Sequence, residues 1–494
     1  MPVISKVHKI MIESFYLEEL SGYINGHWLS ADSGATFAVS NPATGQTLAE
    51  VPYMGAAETQ RAINAAESSQ LDVPGEDVRQ SWLRDIAEVL RAEKDEIGRI
   101  LCMEHGKPLP EACDEVEYAA SFFDYYADIM TDALAPEVMP DQVKGCKWTV
   151  YKRSIGVTGL ITPWNFPIGM IAKKLAPALA AGCPVVVKPA SETPLTMIAL
   201  FRLMADRLDI PAGMINLVMG SSSAIGTELM TSPIVHLVSF TGSTEVGQLL
   251  LEQSNNQVKR LGLELGGNAP FIVLDDADLD AAADHLIANK FRGGGQTCVC
   301  ANRVYVQSAV YSAFAEKVVA RAQALKVGDG MTSGVNVGPL INAAGFDKVK
   351  AHVTDALQNG AQLVQGPKPE AMEAEKSLLY SPTVLTDVTQ DMLCCQEETF
   401  GPLVPLVRFE TDEEALTLGN QSEFGLAAYV FSADSVRADR LIRHLHYGHC
   451  GYNTGTGPAA HTPFGGMLKS GIGYEGGYAG LMEYIELQSV PDGS

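Results

Sequence analysis

The sequence predicts an α/β protein with two α/β units, and three observations carry that expectation. From residue 155 onward, apolar strand-like runs alternate with helical runs, and the strands are continuously apolar. That pattern marks a doubly wound parallel sheet covered on both faces. A second alternation begins at "APFIVLD" (269–275) and runs to about residue 445. Near the end stands "YIELQSV" (484–490), an isolated strand that needs an edge to pair with.

In chain order, residues 1–20 carry a marginal helical pattern. Residues 22–52 alternate short β runs with Gly, Asn and Pro turns, which suggests a small antiparallel unit. Residues 56–135 read as helices, with "RQSWLRDIAEVLRAEKDEIGRILCMEHG" closing on Gly106. "CKWTVYKRSIGVTGLIT" (146–162) returns to β character. A helix at 168–181, the strand "CPVVVKP" and a helix at 193–208 come next. The strands "MINLVMG" and "VHLVSF" flank a short helix, and "STEVGQLLLEQS" is helical again.

The 494 residues are 46% hydrophobic and 19% charged, enough to bury large cores. Lys+Arg 35 against Asp+Glu 59 gives a net charge of −24, spread along the chain. Such a surface repels nucleic acid and anionic lipid, so neither is expected as a partner. Any anion site must then be built from local donors. No signal peptide or charge-free span of about 18 apolar residues is visible, and the nine cysteines are an odd, widely spaced set. A soluble cytoplasmic protein is expected.

Several stretches carry candidate chemistry. In "VHLVSFTGSTEVGQ", Gly242 and Ser243 open a helix after a strand, where free N–H groups and the helix dipole suit a diphosphate. An ordinary strand-to-helix turn explains that stretch equally well. "VVVKPAS" sets Lys188 past a strand's carboxyl end, where ligands of parallel sheets bind. A solvated lysine is the competing explanation. In "ITPWNFP", two prolines pin the backbone around Trp164 and Asn165, so the amide could donate to an oxyanion or simply complete a turn. Glu264 in "LELGGNAP" lies in apolar surroundings that raise a carboxyl pKa towards that of a useful base.

"GGGQTCVCANR" places Cys298 and Cys300 one residue apart. With no second close pair nearby, metal ligation is not expected, and a disulfide at that spacing would be strained. Three glycines before the thiols would let backbone approach a ligand. A Cys298 thiol activated by Glu264 is one reading, and a small buried hydrophobe is the other.

Together, "ITPWNFP", "KPASETP", "FTGSTEVG", "LELGGNAPFIV", "GQTCVCANR", "EETFGPLVP" and "PFGGMLKSGIG" resemble the aldehyde dehydrogenase superfamily in order and spacing, over about residues 22–490. "KFRGGGQTCVCANR" is most similar to its succinate-semialdehyde dehydrogenases. The resemblance implies two doubly wound α/β domains plus a β oligomerisation arm. An NAD(P)-binding domain (1–140 and 156–263) and a catalytic domain (264–450) are then expected. Arms at 141–155 and 478–494 would pair across subunits of a homodimer or homotetramer, and 451–477 would line the substrate pocket.

It further implies that Cys298 attacks an aldehyde, Asn165 and the Cys298 N–H hold the oxyanion, and Glu264 activates the water that hydrolyses the thioester. Lys188 would hold adenosine ribose, Ser243 the diphosphate, and Glu398 the nicotinamide ribose beside Phe400. Thr162, Pro163, Trp164, Ala190, Ser191, Gly242, Leu265 and Gly266 complete the expected cofactor contacts. Relatives dedicated to NAD commonly carry Glu where this chain has Ser191, so acceptance of NADP, alongside NAD, is expected. Of the subgroup's carboxylate clamp, Arg292 is kept. Its second arginine falls at Lys173, which lacks a bidentate fork, and its serine at Ala459. His461 and Tyr452 would line the same pocket. Glu475 in "GYE" is a candidate proton relay without the usual arginine neighbour. Cys300 is either a redox partner of Cys298 or a small pocket-lining residue.

Overall fold

The computed structural model describes residue 17 and residues 20–140, 145–254, 257–374 and 377–493. Most of the helical pattern expected over 1–20, and the start of the arm at 141–155, lie outside the described residues.

Thr158–Ile161 is central in the first sheet, with Val185–Lys188 and Ile215–Leu217 added in parallel on one side. The chain then crosses back, laying Leu237–Thr241 and Arg260–Glu264 in parallel on the other side. Antiparallel edges complete an eight-stranded sheet: Gly22–Ile24 with His27–Leu29 at one end and Gly471–Ile472 at the other. The strand order thus reverses between Thr158–Ile161 and Leu237–Thr241. A crevice opens outside the carboxyl ends at such a reversal. The stretches holding Asn165, Lys188, Gly242 and Glu264 all follow or end these strands.

The second sheet runs Gln362–Gln365, Thr383–Val388, Leu403–Phe409, Ala301–Gln307, Ala269–Val273, Ala427–Phe431 and His449–Tyr452. It is parallel except for its first strand. Ala269–Val273 and Ala427–Phe431 are buried throughout, which explains their unbroken apolar sequences.

The run at 484–490 finds the edge it needs within its own chain. Ile485–Asp492 pairs antiparallel with Lys147–Ser154 of the same chain, from Ile485 opposite Ser154 to Asp492 opposite Lys147. Glu137–Val138 adds a third strand. The partner lies over three hundred positions upstream, so no local pattern announced it.

Helix Pro167–Ala181 joins the layers. All its residues are buried, so its sequence shows no polar face. Proline occupies its first turn, where no N–H is missed, and Gly182 ends it at φ +78°. It packs on the long helix Leu109–Leu134. Fully burying each large side chain, such as Leu175 or Leu179, is worth about 1.5–3 kcal/mol. Among the described residues, no helix is long and apolar enough to cross a membrane.

Candidate active site

Helix Leu279–Phe291 gives way to Gly293, Gly294 and Gly295, with φ of +57°, +70° and +78°. Only glycine adopts three such values in succession without strain. A Cβ on Gly295 would lie 2.3 Å from Gly401 O, and one on Gly267 2.4 Å from Cys298 O. The clearance expected for a ligand is therefore taken up, at Gly295, by protein backbone. The chain turns tightly and presents Cys298 to a cavity of about 330 Å³.

Tyr118, Phe166, Met170, Val299 and Phe464 form the apolar walls of that cavity. Lys107, Lys173 and Arg292 bring cations to it, and Glu111, Asp114 and Glu115 bring carboxylates. Burial pushes the Cys298 thiol up to about 12, with the Lys173 ammonium opposing that rise. Such a thiol stays protonated near neutrality and needs a base before it can attack.

Glu264 ends its strand almost wholly buried, with Oε2 lacking any partner among the described residues. Burial and the nearby Glu475 carboxylate hold its pKa well above the usual range, while Lys173 and Lys174 pull it down. Glu475 is paired with Lys174, and Lys173 Nζ lies 3.9 Å from Glu475 Oε2. Lys173 and Lys174 thus supply the cationic neighbours that the local "GYE" sequence lacks.

Asn165 is 4% exposed. Its Nδ2 donates to Gln296 O at 2.9 Å, so the amide is tied directly to the loop bearing Cys298. Lys188 is buried, donates to Pro189 O at 2.9 Å, and is lowered to about 8 by desolvation despite Glu192. Thr162, Pro163 and Trp164 follow the adjoining strand, with Thr162 N donating to Lys188 O at 3.1 Å. Ala190 and Ser191 are half-buried beyond Lys188. Thr162 Oγ1 and Thr241 Oγ1 are buried at carboxyl ends of the sheet, with no partner among the described residues.

Ser243 caps helix Thr244–Gln253, its Oγ accepting from Val246 N, and Gly242 N donates to Glu264 O at 3.0 Å. Leu265 N donates to Ser470 O, and Gly266 N to Thr244 Oγ1. Glu398 accepts from Gly267 N at 3.0 Å and is raised to about 7 by burial. Phe400, at φ +57°, meets the Trp164 ring edge-on at 5.5 Å.

The pocket expectations met with mixed outcomes. Lys173 and Arg292 line the cavity, Lys173 Nζ 4.5 Å from the Phe464 ring centroid and Arg292 Cζ 5.0 Å from that of Phe166. Ala459 and His461 are not part of its lining, and His461 is exposed. The loop reaches the cavity with Thr456, Gly457 and Pro458 instead. Tyr452 is exposed and donates to Ser432 O at 3.2 Å, away from the cavity wall. The Cys300 thiol is buried, donating to Gly295 O at 3.4 Å, with Lys290 Nζ 3.6 Å away.

Sequence reasoning missed the wall supplied by helix Leu109–Leu134. Glu111, Glu115 and Tyr118 recur at four- and three-residue spacing, one face of a helix. Polar groups on that face were the available signal.

The aldehyde dehydrogenase family model matches residues 28–490. The chain is 45% identical to a glutarate-semialdehyde dehydrogenase of Pseudomonas putida, covering 94% of this chain and 96% of the relative. Identity to an NADP+-dependent succinate-semialdehyde dehydrogenase of Escherichia coli is also 45%, with the same coverage. The crystal structure of an oxidoreductase from Marinobacter aquaeolei matches with TM-score 0.96 and 57% identity, over 98% of this chain and all of that one. With the fold, the cavity and these likenesses in agreement, the chain belongs to the aldehyde dehydrogenase family.

Proposed function

We propose that the protein oxidises an ω-carboxy aldehyde, such as succinic semialdehyde or a close homologue, to the dicarboxylate, using NADP or NAD. The observation that carries this reading is the shared cavity: the Cys298 thiol and two cations, Lys173 and Arg292, face the same space. A thiol suits the aldehyde end of the substrate and the cations its carboxylate end.

Glu264 takes the thiol proton, and Cys298 Sγ adds to the carbonyl carbon to give a thiohemiacetal. The Asn165 amide and the Cys298 N–H stabilise the negative oxygen. Lys188, Ser191, Ser243 and Glu398 would hold a nicotinamide dinucleotide, and the Thr162 and Thr241 hydroxyls, without partners among the described residues, fit a polar ligand there. When bound, that group supplies the hydride acceptor. Loss of hydride from the thiohemiacetal leaves a Cys298 thioester. Once Glu264 has passed the thiol proton to solvent, it deprotonates water for attack on that thioester. The proton so gained returns to the departing sulfur, releasing the acid and restoring the thiol.

The absence of Glu at position 191 removes a like charge from the place where a 2′-phosphate would sit, which supports NADP use. The apolar walls also favour a second reading, a larger aliphatic or aromatic aldehyde. A thioester hydrolase needing no dinucleotide is a weaker alternative, since it leaves without a role Lys188 and the hydroxyls of Thr162 and Thr241, which have no partner among the described residues. The domain division and the pairing of arms in a homo-oligomer remain part of this proposal. Absorbance at 340 nm with NADP and a panel of semialdehydes, aliphatic and aromatic aldehydes tests it. Semialdehydes should give the highest kcat/KM, and Cys298→Ala should abolish reduction. Ester cleavage without dinucleotide, and no reduction, would refute it.

A further inference from the structure

The cavity wall carries an ion pair that the proposed chemistry does not use. Lys107 Nζ lies 2.6 Å from Glu115 Oε2, with both side chains 1% exposed. The same ammonium donates to Asn165 O at 2.8 Å and stands 4.0 Å from the Phe166 ring centroid. Glu115 Oε1 accepts from Ile168 N at 3.0 Å and Gly169 N at 3.1 Å. These belong to the first turn of helix Pro167–Ala181, whose N–H groups have no carbonyl within the helix to bond.

The pair therefore grips the main chain at residue 165 and again at residues 168 and 169. Its own base is firm: a Cβ on Gly338 would lie 2.0 Å from Gly106 O, so the Lys107 turn packs backbone against backbone. On the other side, Gln296 O accepts one Nδ2–H of Asn165. A primary amide has two such hydrogens, so only one is left for a substrate oxygen. Its direction depends on where the backbone of Asn165 is held. A buried ion pair adds little net stability over well-packed apolar residues, so stability alone is a weak reason for this pair.

We infer that Lys107 and Glu115 are positioning residues for the Asn165 amide. By fixing the Asn165 carbonyl and the turn after it, they aim the remaining Nδ2–H at the oxygen of the carbonyl that Cys298 attacks. The inference rests on the oxyanion role proposed above for Asn165.

The test is a double-mutant cycle of Lys107→Met with Asn165→Ala, supported by Lys107→Arg and Glu115→Gln. For each, kcat and KM are measured with the best aldehyde, with iodoacetamide alkylation of Cys298 and thermal midpoint recorded alongside. Removing an oxyanion donor outright costs about 100- to 1000-fold in kcat, so misaiming it in Lys107→Met should cost about 10- to 100-fold. KM and the alkylation rate should stay within about threefold, and Lys107→Arg should recover part of kcat. In the Asn165→Ala background, Lys107→Met should cost less than about twofold, because its target is gone. Equal losses in both backgrounds, or a kcat loss matched by the alkylation rate, would overturn the inference. Should Lys107→Met not fold, Glu115→Gln takes its place in the cycle with the same expectations. An Asn165→Ala enzyme with undiminished kcat would instead remove the underlying reading of Asn165.

Discussion

Lys174 and Glu475 stand 301 positions apart in the chain and form a buried ion pair beside the candidate base Glu264. Lys174 Nζ also donates to Ser239 Oγ at 3.0 Å, which ties the pair to the first sheet. The carboxylate of Glu475 raises Glu264, and the two lysines lower it. The base is thus tuned by groups drawn from two segments distant from it in the chain.

Glu475→Gln leaves the Lys174 ammonium buried without its counter-charge. Breaking such a pair costs about 3–5 kcal/mol, readable in urea unfolding. The substitution also removes a negative charge that raises Glu264, so the Glu264 pKa falls. On folded enzyme, the acid limb of the kcat profile should move to lower pH. A limb that moves upward would contradict this electrostatic account.

The high pKa of the Cys298 thiol, about 12, makes its thiolate scarce in the free enzyme. Iodoacetamide alkylation should then rise about tenfold per pH unit between roughly pH 7 and 10, without a plateau. A plateau with a midpoint below about pH 8 would mean that the thiol is activated before substrate arrives.

Lys173→Met removes a cation from the cavity that holds Cys298. Hydrogen bonds to charged groups contribute about 1.5–3 kcal/mol, so kcat/KM for a semialdehyde should fall about 10- to 100-fold. An uncharged aldehyde of the same length should lose much less, measured side by side. Equal losses for both would assign Lys173 to the electrostatics of Glu264 and Cys298, not to substrate recognition.

Ser191→Glu puts a carboxylate near Lys188 at the carboxyl end of its strand. Steady-state kinetics should show kcat/KM for NADP falling more than that for NAD, by about tenfold in the ratio for one charged contact. An unchanged ratio would place the 2′-phosphate elsewhere.

Gly295→Ala confronts the backbone of Gly401 at 2.3 Å and a φ of +78°. The backbone conformation alone costs about 1–3 kcal/mol, and the contact adds to it. The thermal midpoint should drop, and the alkylation rate of Cys298 should change because its turn shifts. A variant with wild-type midpoint would show that the turn has more freedom than this packing implies.

Much of the fold was legible because parallel strands buried on both faces leave continuous apolar runs. The segments "VVVK" and "LVSFT" are such runs, and both sit inside the first sheet. Lys188 and Glu264 were likewise visible as charged residues at the ends of apolar strands. The antiparallel partner of Ile485–Asp492 was not visible, because strand pairing over that distance leaves no periodicity in either strand. Ala459 was named for the pocket because the resemblance put the clamp serine there, and His461 because it lies in the same region; a loop's sequence does not say which of its residues turns inward.

By itself, the sequence determined the two α/β units, through apolar patterns of short period, and a family resemblance, through motifs in order along the chain, which implied the candidate nucleophile, base and amide. Only the tertiary structure decided that Lys107 and Glu115 bracket Asn165, that Lys174 meets Glu475, and that Pro458 rather than Ala459 faces the cavity. Hydrogen bonds and charge pairs act over a few ångströms of space, whatever the separation along the chain. Which groups come that close is set by how helices and sheets pack.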